Sequence, residues 1–414
     1  RWFFGILMIF QTLDNKNDCY GVFCDGELYF DSPEELPLTR TWSYSSFLGD
    51  KAQEIDYAHL FCSGKSLNEA CPEALRDDWS AVDKKLKAYI RSFCLARVSL
   101  DENCFFDLVP RQFLLDYCSM RNRISEHVFK THEKPENYEF LVDLSVVLEK
   151  ISQQRLNLDL SALRQKLHQS KTRRFKKKMA TIPPYIKYNL FGTKTGRLTT
   201  KKDTFPILTF DKDHRSALKP SNDWLVELDY NAAELRTMLA LSGGEQPQVD
   251  IHEWNIKNIF GGNISRDEAK TRIFAWLYGS KKEKNSLSNI DVQKTLSETY
   301  RKEEVVRQYW TGTHVRTRFG RSIPCDNHHA LSYIIQSVCV DIVLRRLIAL
   351  DRILAPTKSR VAFTLHDSIV IDLSDSDRHL LPRIIEEFSQ TELGQFKVNI
   401  SAGKNFGEMK ELKL

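Results

Sequence analysis

The stretch VELDYNAAELRTMLALS, residues 226–242, opens as a buried strand and continues as a helix. Val226, Glu227 and Leu228 lead to Asp229, which stands where the strand should end. Five residues later Glu234 begins a helical pattern with Leu235, Met238, Leu239 and Leu241 on its apolar side. A carboxylate beside a core is costly unless it is paired or holds a metal. Asp is also a common helix N-cap. These residues alone leave both readings open.

The chain of 414 residues is long enough for two or three domains and a sizeable core. Its hydrophobic fraction of 42% and charged fraction of 28% are those of a soluble globular protein. The net charge of +5 permits a nucleic-acid partner without requiring one. Its placement says more. KTRRFKKK, residues 171–178, gathers Lys171, Arg173, Arg174, Lys176, Lys177 and Lys178 around Phe175. Such a run is either a solvated helix end or loop, or a segment that contacts phosphates. Of nine cysteines, Cys19, Cys24, Cys62, Cys71, Cys94, Cys104 and Cys118 lie in the first third, with no C-x-x-C pair and no zinc-finger histidine. They read as reduced, mostly buried thiols of an intracellular, cytoplasmic protein. The opening RWFFGILMIF is too short to span a bilayer and reads as a core strand. The chain begins without Met, as a fragment or a processed product would.

Residues 1–135 alternate short apolar runs with turn signals; CYGVFCDGELYFD reads as a hairpin turning at Asp25-Gly26. Helical spacing runs from Trp79 to Tyr117. THEKPENY, 131–138, reads as a linker or domain edge. YEFLVDLSVVLEKISQQ and DLSALRQKLHQ read as two helices. After Pro183-Pro184 come short strands and Gly-bearing loops, then helices at 265–278, 286–308 and 329–351 and a strand pair at 360–374. Strands flanked by helices without strict βαβ alternation indicate an α+β class.

In RDEAKTRIFAWLYG, residues 266–279, Arg266, Lys270, Phe274 and Tyr278 recur every four residues and share one helix face. Two cations followed by two aromatics suit a nucleoside triphosphate, cations to the phosphates and rings to base and sugar. In TLHDSIVID, residues 364–372, Asp367 sits at a hairpin tip between buried strands. Two carboxylates drawn from distant strands can hold two divalent ions about 3.5–4 Å apart. Hard oxygen donors favour Mg2+, with Mn2+ as a substitute.

These segments resemble, in order, motifs A, B and C of family A (DNA polymerase I-like) DNA polymerases. Motif A resembles D-Y-x-x-x-E-L-R, at Asp229, Tyr230, Glu234, Leu235 and Arg236. Motif B resembles R-x3-K-x3-F-x3-YG, at Arg266, Lys270, Phe274, Tyr278 and Gly279; motif C resembles the HDE turn, at His366 and Asp367. TGRLTT (195–200), DIH (250–252), FGRSIP (319–324), IIQSVCVDI (334–342) and the closing AGKNFGEM are similar to further family signatures, over roughly residues 140–414. The resemblance implies a right-hand fold with a small N-terminal α/β accessory domain. Residues 1–135 would be a degenerate exonuclease-like domain, 136–200 a reduced thumb with the basic segment, 201–251 and 316–414 the palm, and 252–315 the fingers. It implies Asp229 and Asp367 as metal ligands and Lys270 as proton donor to pyrophosphate. Tyr230, Glu234, His252, Arg266, Lys270, Phe274 and Tyr278 would bind the dNTP, with Glu234 excluding a ribose 2′-hydroxyl. Arg197, Gln336 and His366 would follow the primer terminus. A primed DNA template and dNTPs are the implied partners, with no membrane; a helicase, primase or single-strand-binding protein is not legible.

The chain departs from the family pattern at Ser368, which replaces the second carboxylate of motif C, at FPILTF (205–210), which loses polar residues, and at Ser332, where the family has Asn. Residues 1–135 offer no D-x-E strand with further aspartates for proofreading; DENCFFDL (101–108) reads as core helix or strand. The expectation is template-directed DNA synthesis without proofreading, in a phage or small replicon. HDS at 366–368 and YGS at 278–280 also suit a single-subunit RNA polymerase, against which Glu234 and Phe274 argue. A non-catalytic nucleic-acid-binding relative is the third reading.

Overall fold

The computed structural model describes residues 8–14, 19, 21–30, 36, 38–279 and 290–412. Most of the opening apolar run, Ser280 of YGS and residues 286–289 of the expected helix at 286–308 lie outside them. The chain divides into two compact units, Arg1–Gln153 and Gln154–Leu414.

The first unit holds a three-stranded antiparallel sheet of Phe10–Thr12, Val22–Cys24 and Glu27–Tyr29. Asp25 (φ +49°) and Gly26 (φ +85°) make its tight turn, both in the left-handed region that a two-residue hairpin turn uses. Helices Arg76–Ala96, Arg111–Thr131 and Tyr138–Ser152 follow. The loop at 132–137 therefore joins two helices of the same unit. Trp79, Phe113, Leu114, Cys118, Ile124 and Val128 form part of its core. The expectation of uniformly reduced thiols is corrected: Cys19 and Cys104 form a disulfide across 85 residues, with their Cα atoms 5.6 Å apart. DENCFFDL is a loop with a short 3-10 turn at Phe105–Asp107, and Cys104 stands at its N-cap.

The second unit is built on a five-stranded antiparallel sheet. Its order is Arg360–Leu365, Ser368–Leu373, Trp224–Tyr230, Val398–Gly403 and Lys410–Glu411. From Val226 onward the central strand alternates in burial. Val226, Leu228 and Tyr230 are buried on one face, where Tyr230 stacks on Phe388 of helix Leu381–Ser389 at 4.2 Å. Glu227 and Asp229 point to the other face. The 28-residue helix Asn327–Leu354 packs along the hairpin strands and buries Ile334, Ile335, Val338, Ile342 and Leu347.

Several elements differ from the sequence expectation. DLSALRQKLHQ forms only a 3-10 segment, Leu160–Lys166, because Asp159 accepts a hydrogen bond from the Ser161 backbone and closes a tight turn there. KTRRFKKK is helical, within Ser170–Met179. The expected helix at 286–308 is broken at Arg301 (φ +38°) into Ile290–Tyr300 and Lys302–Tyr309.

One buried cation ties this unit's loops to its sheet. Arg236 is fully buried and donates to Asn231 O (2.8 Å), Pro247 O (2.8 Å), Val249 O (2.7 Å) and Asn231 Oδ1 (3.1 Å). Burial lowers its pKa to about 10, so it stays charged at neutral pH. Its fork fixes the loop that leads to Asp250. Arg236→Met is expected to destabilise the fold by about 3–5 kcal/mol, because it leaves several buried acceptors unpaired. Arg236→Lys should recover little of that, since an ammonium lacks the planar fork. Urea unfolding curves of the two variants measure both losses; a change below about 1 kcal/mol would remove Arg236 from this role.

Candidate active site

Asp229 is the next-to-last residue of the central strand, and its register partner on the hairpin strand is Ser368. The hairpin closes on two residues, His366 and Asp367, between paired Leu365 and Ser368. His366 takes the left-handed φ of +55° that this tight closure imposes. Asp367 is thereby set beside Asp229, as the strand pattern of both segments requires. Burial raises the pKa of Asp229 to about 6, with the charges of Asp367 and Glu227 adding to the rise and a hydrogen bond from Asn399 opposing it. Burial also raises Asp367, as does the charge of Glu234, against the opposing charges of Arg197 and His366.

The helix of the cationic and aromatic residues runs from Arg266 to Tyr278. Ser265 caps its start by accepting from the Glu268 backbone, and Gly279 (φ +74°) ends it in the left-handed conformation. Ala269, Ile273 and Leu277 bury one side. Arg266 and Lys270 are exposed, Phe274 and Tyr278 half-buried. Phe274 stacks on Tyr278 with ring centres 6.1 Å apart. Tyr278 donates to Glu234 Oε2 at 2.6 Å, and Arg197 pairs with Glu234 Oε1. Glu234 thus links the helix after the central strand, the cationic helix and the loop of TGRLTT. That loop is held by Gly196 (φ +84°), where an added Cβ would collide with the Arg321 guanidinium. Arg321 is itself locked to the fully buried Asp341 at 2.7–2.8 Å. Arg266 donates to Asp250 Oδ2 at 2.8 Å. Burial pushes Asp250 upward, but the hydrogen bonds from Arg266, Asn231 and the Glu253 backbone outweigh it and hold the carboxyl well below its usual range.

A cavity of about 490 Å³ adjoins Asp367, and Arg197, Leu208, Leu344, Thr364 and His366 contribute to its wall. Arg197 and His366 therefore meet at one opening. Gln336 is half-buried on the long helix and is not part of that wall.

Two of the expected nucleotide contacts, Tyr230 and His252, are buried in this structure. The Tyr230 side chain lies in the core, 3% exposed, with its hydroxyl donating to Phe388 O at 2.6 Å. Strand alternation turns it away from Asp229. His252 is 2% exposed, and its Nδ1 has no hydrogen-bond partner among the described residues. Burial, with the nearby Arg266, Lys270 and Arg236, lowers its pKa to about 4 despite Asp250, so it carries no charge toward a phosphate at neutral pH.

The basic run divides. Lys171 is engaged by Asp211 (2.5 Å) and Asp213 (3.5 Å), and Arg173 by the carbonyls of Leu167 and His168. Phe175 stacks on His214 at 4.5 Å and anchors the helix. Arg174, Lys176, Lys177 and Lys178 are exposed. The sequence reading had not singled out Glu227, Asn399 or Asp250 as site residues. Glu227 carried a usable signal, since it lies two residues before Asp229 and so shares its strand face.

A sequence profile of DNA polymerase family A matches residues 145–409. The chain belongs to DNA polymerase family A. The DNA polymerase of Mycobacterium phage D29 is 26% identical over 215 residues, which cover 42% of this chain and 35% of that protein. For the DNA polymerase of Mycobacterium phage L5 the identity is 25% over 209 residues, covering 42% and 34%. The aligned segment thus spans about a third of the curated relatives it matches. In fold, the chain is similar to the POL domain of Pol1 from M. smegmatis, solved in complex with a DNA primer-template and a dNTP. The TM-score is 0.61 at 13% identity, covering 86% of this chain and 82% of that one. That share exceeds what the second unit alone holds, so the likeness extends into the first. Among the described residues no helix is long and apolar enough to cross a membrane.

A family A centre calls for divalent cations, and the donor set here suits them. Asp229 and Asp367 offer hard carboxylate oxygens, and their shared repulsion is what a cation relieves. Among the described residues no group of three His, Cys, Asp or Glu side chains surrounds a single ion position.

The raised pKa of Asp229 has a consequence for stability. An acid whose folded pKa exceeds its unfolded value favours the fold at low pH, and that advantage is lost as pH rises through the folded pKa. The window is about 4 to 6. At pH 7.5 without divalent ions, Asp229→Asn should therefore raise Tm by about 5 °C, from roughly 2 kcal/mol of relieved charge burial. It should also flatten the fall of Tm between pH 4.5 and 7. Thermal melts in EDTA across that range measure both, and an unaltered Tm would make Asp229 an ordinary surface carboxylate.

Proposed function

We propose that this chain catalyses template-directed DNA synthesis, transferring nucleotides from dNTPs to a primer 3′-hydroxyl. The observation that carries the reading is the link from Glu234 to Tyr278 and Arg197 beside the Asp229–Asp367 pair. Residues 201–251 and 316–414 then serve as palm and 252–315 as fingers. Asp229 and Asp367 would hold the divalent ions, which when bound would supply Lewis acidity toward the 3′-hydroxyl and the pyrophosphate.

The chain's own residues supply the rest. Arg266, whose own side chain is half-exposed, exchanges Asp250 for the triphosphate, and the largely buried Asp250 keeps its hydrogen bonds from Asn231 and the Glu253 backbone. Lys270, one turn on, donates a proton to the leaving pyrophosphate. Phe274 and Tyr278 present ring faces to the base and sugar. Glu234, fixed by Tyr278 and Arg197, occupies the space that a ribose 2′-hydroxyl would need, so deoxyribose is selected. Arg197 and His366 line the opening that receives the primer terminus. The phage relatives support a role in phage or small-replicon replication. The reading assigns no proofreading to the first unit.

Primer extension with Mg2+ and separate dNTP and rNTP reactions tests this. Extension by dNTPs is expected, and Asp367→Asn should lower its rate by about 10³-fold, the several kcal/mol of a metal's charge stabilisation. DNA affinity should stay near the parent's, since binding rests on phosphate electrostatics. Glu234→Ala should raise rNTP use relative to dNTP. Preference of the parent for rNTPs would move it to the RNA polymerases; DNA binding without extension would leave a binding protein.

The exposed cations of helix Ser170–Met179 extend the proposal to duplex grip. Replacing Arg174, Lys176, Lys177 and Lys178 by Gln should reduce the slope of log K against log salt by about three to four, near 0.9 for each phosphate no longer neutralised. Fluorescence anisotropy from 50 to 300 mM salt (roughly the range over which such slopes are read) measures it. An unchanged slope would return the helix to solvated surface.

A further inference from the structure

Ser368 stands where the family carries a second carboxylate beside Asp367. It is 3% exposed, and it pairs across the ladder with Asp229. Residues paired in this way share a sheet face, and so do residues two apart on one strand. Glu227, Asp229 and Ser368 therefore face the same side, with Asn399 and Ser401 of the next strand beside them. Glu227 pairs with Val370, so it lies on the diagonal from Ser368, a distance that long side chains bridge. It does bridge it: the Ser368 hydroxyl donates to Glu227 Oε1 at 2.9 Å. Leu365 O, at 3.0 Å, is its other acceptor, and the charged oxygen is the stronger of the two.

Glu227 is an unusual occupant. Glu is depleted in strands, and this one is half-buried in the middle strand of a five-stranded sheet. Its hydrogen-bond partner among the described residues is a serine hydroxyl, not a Lys or Arg. Such a charge is costly without a cation nearby. The acidic charge absent from position 368 is thus present one strand over, with its carboxylate at hydrogen-bond distance from the residue that lost it.

We propose that Glu227 performs the task of the missing motif C carboxylate, relocated from the hairpin strand to the central strand, with Ser368 holding it toward the divalent ions. The proposal rests on the polymerase reading above. Glu227 is a positioning residue: with no group of three acidic side chains around one ion position among the described residues, it would act through its charge on ions that Asp229 and Asp367 would hold.

The test is Mn2+ binding to the protein–DNA complex, followed by the EPR signal of free Mn2+ and by calorimetry, without nucleotide. Glu227→Gln keeps shape and hydrogen bonding but removes charge. It should weaken Mn2+ binding 10–100-fold, the range for residues that support a metal through its ligands. Its Tm in EDTA should equal or exceed the parent's, which a purely structural role would not produce. Ser368→Ala should weaken binding less, by about 3-fold, half a decade in an affinity scale where 1.4 kcal/mol is tenfold. The exchanged pair Glu227→Ser with Ser368→Glu should return affinity to within about 3-fold of the parent by the same scale. Parental Mn2+ affinity in Glu227→Gln would overturn the proposal whatever the exchanged pair does. Asp229→Asn and Asp367→Asn separate the two levels. If they lose Mn2+ and Glu227→Gln does not, only this proposal fails; if none loses it, the polymerase reading fails as well.

Discussion

Six consecutive residue pairs, from Trp224↔Leu373 to Asp229↔Ser368, hold the central strand against the hairpin. The rest of the site depends on that register. A slip of one residue would turn Val226, Leu228 and Tyr230 outward and drive Glu227 and Asp229 into the apolar layer of Phe388 and Phe396. The cost of burying two carboxylates there, set against the lost stacking of Tyr230, makes the register single-valued. The two-residue turn at His366-Asp367 then has one place to be. Ala232, at φ +52°, reverses the chain directly after the strand, and the helix Ala233–Leu241 carries Glu234 back over the same edge.

Charge is arranged around that edge in two classes, and their burial separates them. Arg236 and the Arg321–Asp341 pair are almost wholly enclosed, and breaking either leaves an uncompensated buried charge. They hold the loops still. In the Arg266–Asp250 and Arg197–Glu234 pairs the cation is 48% and 42% exposed while the carboxylate is largely buried, so the cations reach solvent and the acids stay fixed. Under the proposed reading, the first class sets geometry and the second meets phosphate and primer. His252 belongs with the first class: its neutral, enclosed ring packs near Phe274 rather than offering a cation.

Much of this was legible along the chain. The four-residue recurrence of Arg266, Lys270, Phe274 and Tyr278 is a statement about one helix face, and the helix bears it out with Ala269, Ile273 and Leu277 buried on the adjoining side. The hairpins at Asp25-Gly26 and at 360–374 are equally local, set by turn chemistry and alternation. What escaped was what local pattern does not encode. The Cys19–Cys104 bond joins positions 85 residues apart, which no spacing rule connects. Tyr230 and His252 occupy motif positions, but a motif position specifies where the backbone passes and not which way a side chain turns. The 3-10 turn at Leu160–Lys166 followed from a side-chain bond at Asp159 that competes with helix formation.

The same limit explains why Ser368 read as a loss. A motif is scanned along one strand, where position 368 has a hydroxyl in place of a carboxylate. The chemistry of a sheet is read across strands, because residues on one face from neighbouring strands share a single field. On that axis the site keeps Asp229, Asp367 and Glu227, and Ser368 is the donor that fixes the third. The two substitutions are coupled in a definite sense. Glu227 without Ser368 would lack a donor to orient it, and a carboxylate at 368 beside Glu227 and Asp229 would crowd like charges on one face. Each residue makes the other tolerable. The departure from the family pattern and the isolated strand glutamate are then one feature of the sheet rather than two anomalies of the sequence.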